Sequence, residues 1–585
     1  MSDGQLDTPD RTVTPRRVRA TERPQNFVGS YQIIHGSLVN ELKYGYNAPS
    51  TSARAYGTQG YDAIGVSLSG SATSASIDAR GTTGIARSGL LIRASSASST
   101  TGSSFQPHST SLQDALTWSH GGHTIKVGGE YRRIEAAFQY SGSTELTFNS
   151  IDDFIANKPN AIAVSYDSPL FKPQQFYAIG FAQDTWHASE RLTFELGARY
   201  DFYSVVHEKY GRAKPFFVED NAFASDVNNF YNPDYNNLAP RLSAVYRINE
   251  KTVVRGGYGW FYGPGQLEDR IQPIENYIER RRVTAAELPT LTYPIAENDY
   301  RNVLSIRGYT HDRPDEYSIQ YGASFSRELP SAINLTVAYT GSQGRDMFLR
   351  GVANVLDTTT RTRPIPAYGQ IDYKTSGCVD GLQINGQNIS GCGRASYDAA
   401  QVNVSRRFRS GLTGMFQYQY SRSRGTTQGS NEASTAQNTF DYSTEYGINP
   451  QDLPHTMNGT ITYTSHGWNV TGMFNARSGV PINVTINRPD NVSINGVTVT
   501  NIPGGNSRGT QRPDLVPGVN PYLKDGVRWL NPAAFATPQP GTFGNLPRNF
   551  LRGPSFWQTD LSVNRNIGRV QMRVDVFNIL NHLNY

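Results

Sequence analysis

The sequence has no long hydrophobic run. Only 37% of its 585 residues are hydrophobic, and no window approaches the ~18 unbroken apolar residues that a transmembrane helix needs. A helical membrane protein is therefore excluded. The N-terminal stretch 1–25 is polar and charged and has no apolar core, so no signal peptide for export is evident.

The sequence also has few cysteines and histidines and no large excess of either charge. The net charge is +5 and the basic residues are scattered, which excludes the basic patch of a nucleic-acid-binding protein. The 10 histidines are scattered too. Because the motifs of zinc proteases, serine hydrolases and phosphate loops are lacking, we expect no enzyme, no metal site and no cofactor.

The two cysteines, Cys378 and Cys392, lie close together in a stretch rich in glycine, serine and asparagine. Such spacing favours a loop disulfide formed in an oxidising compartment. Two free thiols are the alternative.

What the sequence does have is strict alternation of apolar and polar residues. Between Leu192 and Tyr203 every second residue is apolar, and the pattern recurs along the chain, which contains 34 Tyr and 26 Phe. Alternation of this kind predicts strands with one face in lipid and the other in water. The candidates for aromatic belts at the membrane surfaces are Tyr200, Tyr258, Trp260, Tyr262, Tyr418 and Trp557.

Eight strand pairs can be read along the chain, each joined by a tight turn. The pairs add up to about sixteen strands. Long polar segments separate them. Since outer-membrane barrels alternate short periplasmic turns with long extracellular loops, we predict an all-β fold, a large antiparallel transmembrane β-barrel. The turns lie at 35–37, 121–122, 188–190, 249–250, 330–331, 410–411, 466–467 and 568.

Strand direction predicts how the chain is organised. If the tight turns are periplasmic, the first visible strand runs inward and the last runs outward, whereas a complete barrel begins and ends in the periplasm. We therefore expect residues 26–585 to form an incomplete barrel and residues 1–25 to be a polar segment of an extracellular loop. Either the export signal is missing from this chain, or the barrel interpretation is wrong.

Several segments of the sequence resemble those of the TonB-dependent outer-membrane receptors, in particular their Oar-like β-barrel group. These segments are Leu38–Tyr46, Phe181–Trp186, Leu192–Tyr200, Asn237–Leu242, Val254–Gly259, Val337–Ser342 and Val574–His582. The resemblance implies a Gram-negative outer-membrane location and a barrel of about 22 strands. It also implies that a signal peptide, a plug, a TonB box and the last strand are missing from this chain.

The resemblance further implies active uptake of a solute, which would be an oligosaccharide, a peptide or a metal chelate. The TonB complex would act through the missing N-terminal part, and lipid of the outer membrane would surround the barrel. A passive porin-like or adhesin barrel is the alternative. A secreted all-β propeller or carbohydrate-active enzyme is a third class, which predicts four-stranded blades and a carboxylate pair.

Two sets of residues are candidates for function. Phe230, Tyr231 and Tyr235 lie in the amide-rich loop Asp226–Asn237, where aromatic rings could stack on a sugar or peptide; ordinary loop chemistry is the alternative. The second set would line the lumen or grip the plug, unless its members are the ordinary polar lining of a barrel. Its members are Glu130, Glu195, Arg199, Asp201, Asp560, Arg573 and Asp575.

Overall fold

Sixteen long strands, β1 to β16, form one antiparallel sheet in the computed structural model, and each pairs with the next along the chain. The structure describes residues 4–9, 16–57, 64–68, 90–94, 103–139, 143–148, 153, 156–165, 168–278, 280–285, 288–292, 304, 306–355, 360, 362–426, 436–488, 491–503, 511–525 and 528–584. In order, the strands are Gln25–His35, Leu38–Ala48, Ser103–His120, His123–Gln139, Pro173–Ser189, Leu192–Tyr203, Leu238–Asn249, Thr252–Gly263, Glu316–Leu329, Ile333–Arg345, Ala395–Arg409, Leu412–Gly425, His455–Ser465, Trp468–Arg477, Phe556–Ile567 and Val570–Val576. The predicted all-β sheet is confirmed.

Short and long connections alternate around this sheet. Each odd-numbered strand joins the next by a tight turn, and all eight turns lie at one end, while the long connections lie at the other. Glycines with positive φ, a conformation in which a side chain would be strained, occupy five of the turns. They are Gly36, Gly121, Gly411, Gly467 and Gly568.

The two faces of the sheet differ as the alternation predicts. On β10, Val337 is apolar yet 43% exposed, and its cross-strand partners are Phe325 and Val402. The next residue, Ala338, lies on the other face between Ser324 and Gln401. We call these the outward face and the inward face. No protein layer covers the outward face at Val337, which agrees with contact to lipid.

Aromatic residues cluster on the outward face towards the ends of the strands. Near the long connections, Trp260 stacks on Tyr317 with ring centroids 5.2 Å apart, and its Nε1 donates to the Tyr258 hydroxyl at 2.6 Å. Near the turns, Trp186 stacks on Phe194 at 5.6 Å. The two levels correspond to the interfacial belts of a barrel.

The first and last strands of the sheet are both edges. Strands β1 and β16 are each exposed along almost their whole length, and no pairing between them occurs in the part of the chain that is described. The sixteen strands therefore form an open sheet, whose edges carry unpaired backbone groups.

The long connections pack into an outer layer with its own strands and short helices. Two five-stranded sheets and several hairpins make up this layer, together with helical turns of three or four residues. Its strands are Ile64–Leu68, Leu90–Ala94, Ser143–Phe148, Ala161–Ser165, Arg280–Thr284; Phe216–Phe217, Ala222–Phe223, Arg307–Tyr309, Phe348–Ala353, Ile371–Ser376; His207–Glu208, Leu382–Ile384, Gln387–Ile389, Gly447–Ile448, Pro481–Ile482, Asn491–Ile494, Val497–Thr500, Asp514–Leu515, Phe535–Ala536 and Leu551–Arg552. The helical turns there are Leu267–Arg270, Gln272–Glu275, Tyr442–Glu445 and Pro532–Ala534, with Pro330–Ala332 at the other end of the sheet.

The apolar core of the molecule lies in this outer layer rather than in the wall. One cluster surrounds Tyr373, and the Tyr373 hydroxyl lies 3.1 Å from the hydroxyl of Tyr442. A second cluster contains Phe230 and Tyr309 and packs against the outer ends of β4 and β5. Both clusters bring together residues from several connections, which gives the loops a fixed arrangement.

The segment before β1 also contains strands. Gly4–Pro9 pairs with Arg16–Glu22, which in turn pairs with Thr51–Gly57. This hairpin extends β1 and β2 at the end of the long connections, on the side where the sequence predicts the 1–25 segment to lie. Among the described residues, no helix is long and apolar enough to cross a membrane.

The tight turns of the structure lie at the predicted positions, but some strands are longer than predicted. Strand β3 begins at Ser103 rather than Ser111, and β10 continues to Arg345 rather than Thr340. The extensions contain Pro107 and Gly341, residues that favour loops in sequence reasoning. Pairing with β2, β4, β9 and β11 holds them in the sheet.

Candidate functional site

A recess opens on the inward face of the wall between β5 and β10. Its volume is about 600 Å³, and its floor is formed by glycines that stand where neighbouring strands carry side chains. Gly197 pairs with Gln183 and Arg241, and Gly257 pairs with Ser243 and Gly322. Because glycine projects nothing into the lumen, this part of the wall is concave. The floor glycines are Gly197, Gly257, Gly259 and Gly322.

Charged side chains surround the recess. Glu195 accepts a hydrogen bond from the Ser243 hydroxyl at 3.1 Å. Arg199 is held by Asp201 through three hydrogen bonds of 2.8 to 3.0 Å, so its charge is neutralised locally. Arg241 lies over the Phe261 ring at 4.5 Å, and its buried Nε has no partner among the described residues. The recess therefore presents both signs of charge to the lumen.

The structure brings three of the predicted lumen residues together and leaves the others apart. Glu195, Arg199 and Asp201 lie at or beside the recess. The other four are also on the inward face, but they pair locally: Glu130 accepts from Arg132, Asp560 from Gln558, and Arg573 donates to Asp575 on the edge strand β16. That all seven line the lumen or grip a plug stays a prediction.

A smaller chamber of about 230 Å³ lies in the outer layer, above β8 and β9. Arg270 and Asp315 form an ion pair of 3.2 Å in its wall. Arg313 lies over the rings of Tyr231 and Tyr309, at 5.6 and 5.2 Å from the centroids. The Tyr231 hydroxyl is buried and has no hydrogen-bond partner in the described part of the chain. The chamber thus offers a free donor beside paired charges.

Burial shifts the pKa values of two groups at or near the chamber. Burial raises the pKa of Asp315 above its usual range, although the Arg270 guanidinium opposes the shift. Burial likewise lowers the pKa of Lys374, whose Nζ donates to Asp269 at 2.9 Å. These opposed shifts arise because desolvation penalises the charged form of either group.

The predicted ligand loop buries two of its three aromatic residues instead of exposing all three to a ligand. Phe230 is fully buried and Tyr231 is 8% exposed, because both pack in the second apolar cluster. Only Tyr235 presents its ring to solvent, and it stacks on Phe202 with centroids 5.3 Å apart. A ligand therefore has access to Tyr235 from outside and to Tyr231 only through the chamber.

The two cysteines are joined in a disulfide at the edge of the first apolar cluster. Asp380, between them in sequence, accepts from the Gly391 amide at 2.6 Å. No group of three or more histidine, cysteine or acidic side chains suited to a metal ion occurs among the described residues.

The sequence analysis did not single out Arg241 at the recess or Arg270, Arg313 and Asp315 at the chamber. A partial signal for the recess was present, since Gly257 and Gly259 fall on the polar phase of their strand. No local pattern marks the chamber, because its residues are far apart in sequence. Arg270 and Asp315 are separated by 45 positions, and Phe348 and Ser376 come from a later connection.

Comparisons with known proteins agree with this architecture. A family model described as "outer membrane beta barrel domain" matches residues 5–585. No curated protein sequence matches the chain. Among solved structures, the outer membrane transporter YddB from Escherichia coli is similar at 11% identity and a TM-score of 0.55, over 99% of this chain and 62% of that one.

Two further structures are similar over nearly the whole chain. They are the ferric citrate transporter FecA, at 10% identity and a TM-score of 0.45 over 99% of this chain and 62% of FecA, and the siderophore receptor PiuA from Acinetobacter baumannii, at 9% identity and a TM-score of 0.41 over 98% of this chain and 72% of PiuA. This chain spans less than two thirds of YddB and of FecA.

The YddB likeness confirms the predicted architecture at the level of fold. The matching family consists of membrane barrels, which agrees with the prediction that this chain is not an enzyme. The outward face therefore contacts lipid, the turns with their short connections are periplasmic, and the outer layer is extracellular. The chain belongs to the outer membrane β-barrel domain family and lies in the outer membrane.

Proposed function

We propose that this chain is most of the wall of a TonB-dependent receptor that takes up a solute actively across the outer membrane. Residues 26–585 are an incomplete barrel, and residues 1–25 are a polar segment of an extracellular loop. The TonB complex acts through an N-terminal part outside this chain. A passive porin-like or adhesin barrel is the alternative.

The open sheet is the observation that carries this proposal. Sixteen strands suffice to close a porin with an aqueous channel, yet here β1 and β16 remain unpaired with each other among the described residues. A barrel completed by further strands would account for these two unpaired edges. A wall of about 22 strands encloses a lumen so wide that it is normally filled by a plug, which favours gated uptake over passive flow.

The recess and the chamber suit a polar solute that carries charge. The chamber presents the free Tyr231 hydroxyl next to Arg313, and the recess presents Glu195 and Arg241 on the inner wall. An oligosaccharide, a peptide or a metal chelate would use such groups as hydrogen-bond partners. We infer that the solute contacts the chamber before it reaches the recess.

Conductance and uptake of the full-length protein separate the two functions. In a planar bilayer, a plugged receptor is expected to show no steady conductance, and uptake into cells should stop when a protonophore removes the proton-motive force. A steady ohmic conductance, together with uptake that a protonophore leaves unchanged, would establish a passive porin instead.

Hydrogen exchange then identifies the solute. Oligosaccharides, peptides and metal chelates are added in turn to the full-length protein, and the bound class should slow exchange at the chamber segments 226–237 and 313–316. Segment 520–525, which lies in another part of the outer layer, is the internal control. Equal protection of all three segments would contradict binding at the chamber.

A further inference from the structure

An apolar furrow of about 500 Å³ crosses the outward face between β11 and β15. It exists because glycines and large apolar residues alternate across neighbouring strands. Gly459 on β13 stands between Phe416 and Phe474, and in the next row Ile461 stands between Gly414 and Gly472. The glycines form a floor and the rings form walls, so the furrow is a groove in a surface that elsewhere is covered by side chains.

A single cation closes the lower end of this furrow. Arg406 on β11 is among its lining residues, next to Ile333 on β10. One of its guanidinium nitrogens donates to the Arg409 carbonyl at 3.4 Å, whereas the buried Nε has no partner in the described residues. No carboxylate is found among the described residues that line the furrow. The positive charge of Arg406 therefore favours an anionic group at this end.

The furrow spans the depth of one membrane leaflet. Arg406 lies three residues before the end of β11 at the periplasmic turn, whereas Thr559 at the other end lies eight residues before the end of β15. Strands about 4.8 Å apart make the four spacings from β11 to β15 roughly 19 Å long. With a strand tilt of about 40°, the furrow rises by roughly 12 Å, close to half of the ~30 Å hydrocarbon core.

We propose that this furrow binds one phospholipid of the periplasmic leaflet, with an acyl chain along Gly414, Gly459 and Gly472 and the phosphate on Arg406. The glycine floor lets the chain contact protein on three sides, and each added contact contributes dispersion energy. The phosphate accepts charge-assisted hydrogen bonds from the guanidinium. This surface faces lipid in the membrane, so a lipid needs no displacement of protein to enter it.

Retention of phosphatidylglycerol tests the proposal. The full-length protein is extracted in mild detergent with phosphatidylglycerol, or with uncharged diacylglycerol carrying the same chains, and native mass spectrometry measures the fraction of protein that keeps one lipid. Phosphatidylglycerol should bind about tenfold more tightly than diacylglycerol, and Arg406→Gln should remove that difference, as loss of a hydrogen bond to a charged group implies.

Variants that fill the furrow should retain neither phosphatidylglycerol nor diacylglycerol. In Gly459→Leu a new Cβ lies 3.5 Å from Phe416 Cδ2, and in Gly472→Leu it lies 3.7 Å from Ile461 Cγ2. Both are ordinary contacts, so we expect the wall to fold while the leucine occupies the groove. Gly256→Leu is the matched control on the outward face of β8, where the nearest atom is Gly322 O at 3.8 Å.

Three outcomes would overturn the proposal. One is equal retention of the charged and uncharged lipids by the unaltered protein, a comparison that needs no variant. Another is equal loss of lipid in Gly256→Leu and in the furrow variants. The third is a change from dimer to monomer in Gly459→Leu with lipid retention unchanged, which would make the furrow a contact between two copies of this chain.

Discussion

Replacing Arg512 by alanine is expected to lower the free energy of opening of the outer loop layer by about 3 to 5 kcal/mol, the usual cost of stranding one partner of a buried ion pair. Arg512 donates to both carboxylate oxygens of Glu445, at 2.9 and 3.0 Å, and to the Leu546 carbonyl at 2.9 Å. Both side chains are buried. Without the guanidinium, the buried Glu445 carboxylate loses its ion-pair partner, although the Gln437 amide still donates to it.

Hydrogen exchange at the amides of Gln437 and Leu546 measures this opening, because both donate within the same cluster. Arg528→Ala is the matched control in the same connection. Its ion pair with Asp525 is exposed, so its loss should change the opening free energy by no more than about 1 kcal/mol. If Arg512→Ala and Arg528→Ala had similar effects, the buried Arg512–Glu445 ion pair would not be what stabilises the outer layer.

Placing arginine at Val337 is expected to destabilise the full-length barrel in a bilayer by about 2 to 4 kcal/mol, as a cation on the lipid face near the midplane does. Val337 lies on the outward face between Phe325 and Val402. It is four residues from the turn end of β10 and eight residues from its outer end. The new charge would therefore lie in hydrocarbon without a partner.

Unfolding of the bilayer-inserted protein in urea measures this cost. The control is Ala338→Arg, one position further along the strand, where the side chain points into the polar lumen and should leave stability nearly unchanged. Leu196→Arg should cost less than Val337→Arg, because Leu196 pairs across the strands with Asp184, which binds His123 at 2.7 Å. Equal costs at Val337 and Ala338 would contradict the assigned faces.

The wall was predictable because its determinants are local. A two-residue repeat fixes which face of a strand is apolar, and a turn such as Gly121–Gly122 fixes where the chain reverses. The same local information places Glu130 and Arg573 on the polar face of their strands. Strand ends were harder to predict, since pairing with neighbours keeps Pro107 and Gly341 in the sheet.

The outer layer could not be predicted, because its contacts join residues far apart in sequence. Lys374 and Asp269 form a buried pair although 105 positions separate them. Phe230 and Tyr231 looked like an exposed aromatic surface, yet packing against Tyr309 and Ile274 buries them. No repeat or motif in a single segment reports such pairings, so the chamber and the furrow emerge only when the strands are placed side by side.

Spin-label accessibility along β10 shows whether the two faces of the wall contact lipid and water, respectively. A nitroxide is placed in turn at positions 334 to 339 of the full-length protein in a bilayer, and collisions with oxygen and with a water-soluble nickel chelate are compared. We expect strict alternation, with oxygen favoured at Leu335, Val337 and Tyr339 and nickel favoured at Asn334, Thr336 and Ala338. Accessibility without a two-residue period, or nickel contact at Val337, would contradict a wall with lipid on one face and water on the other.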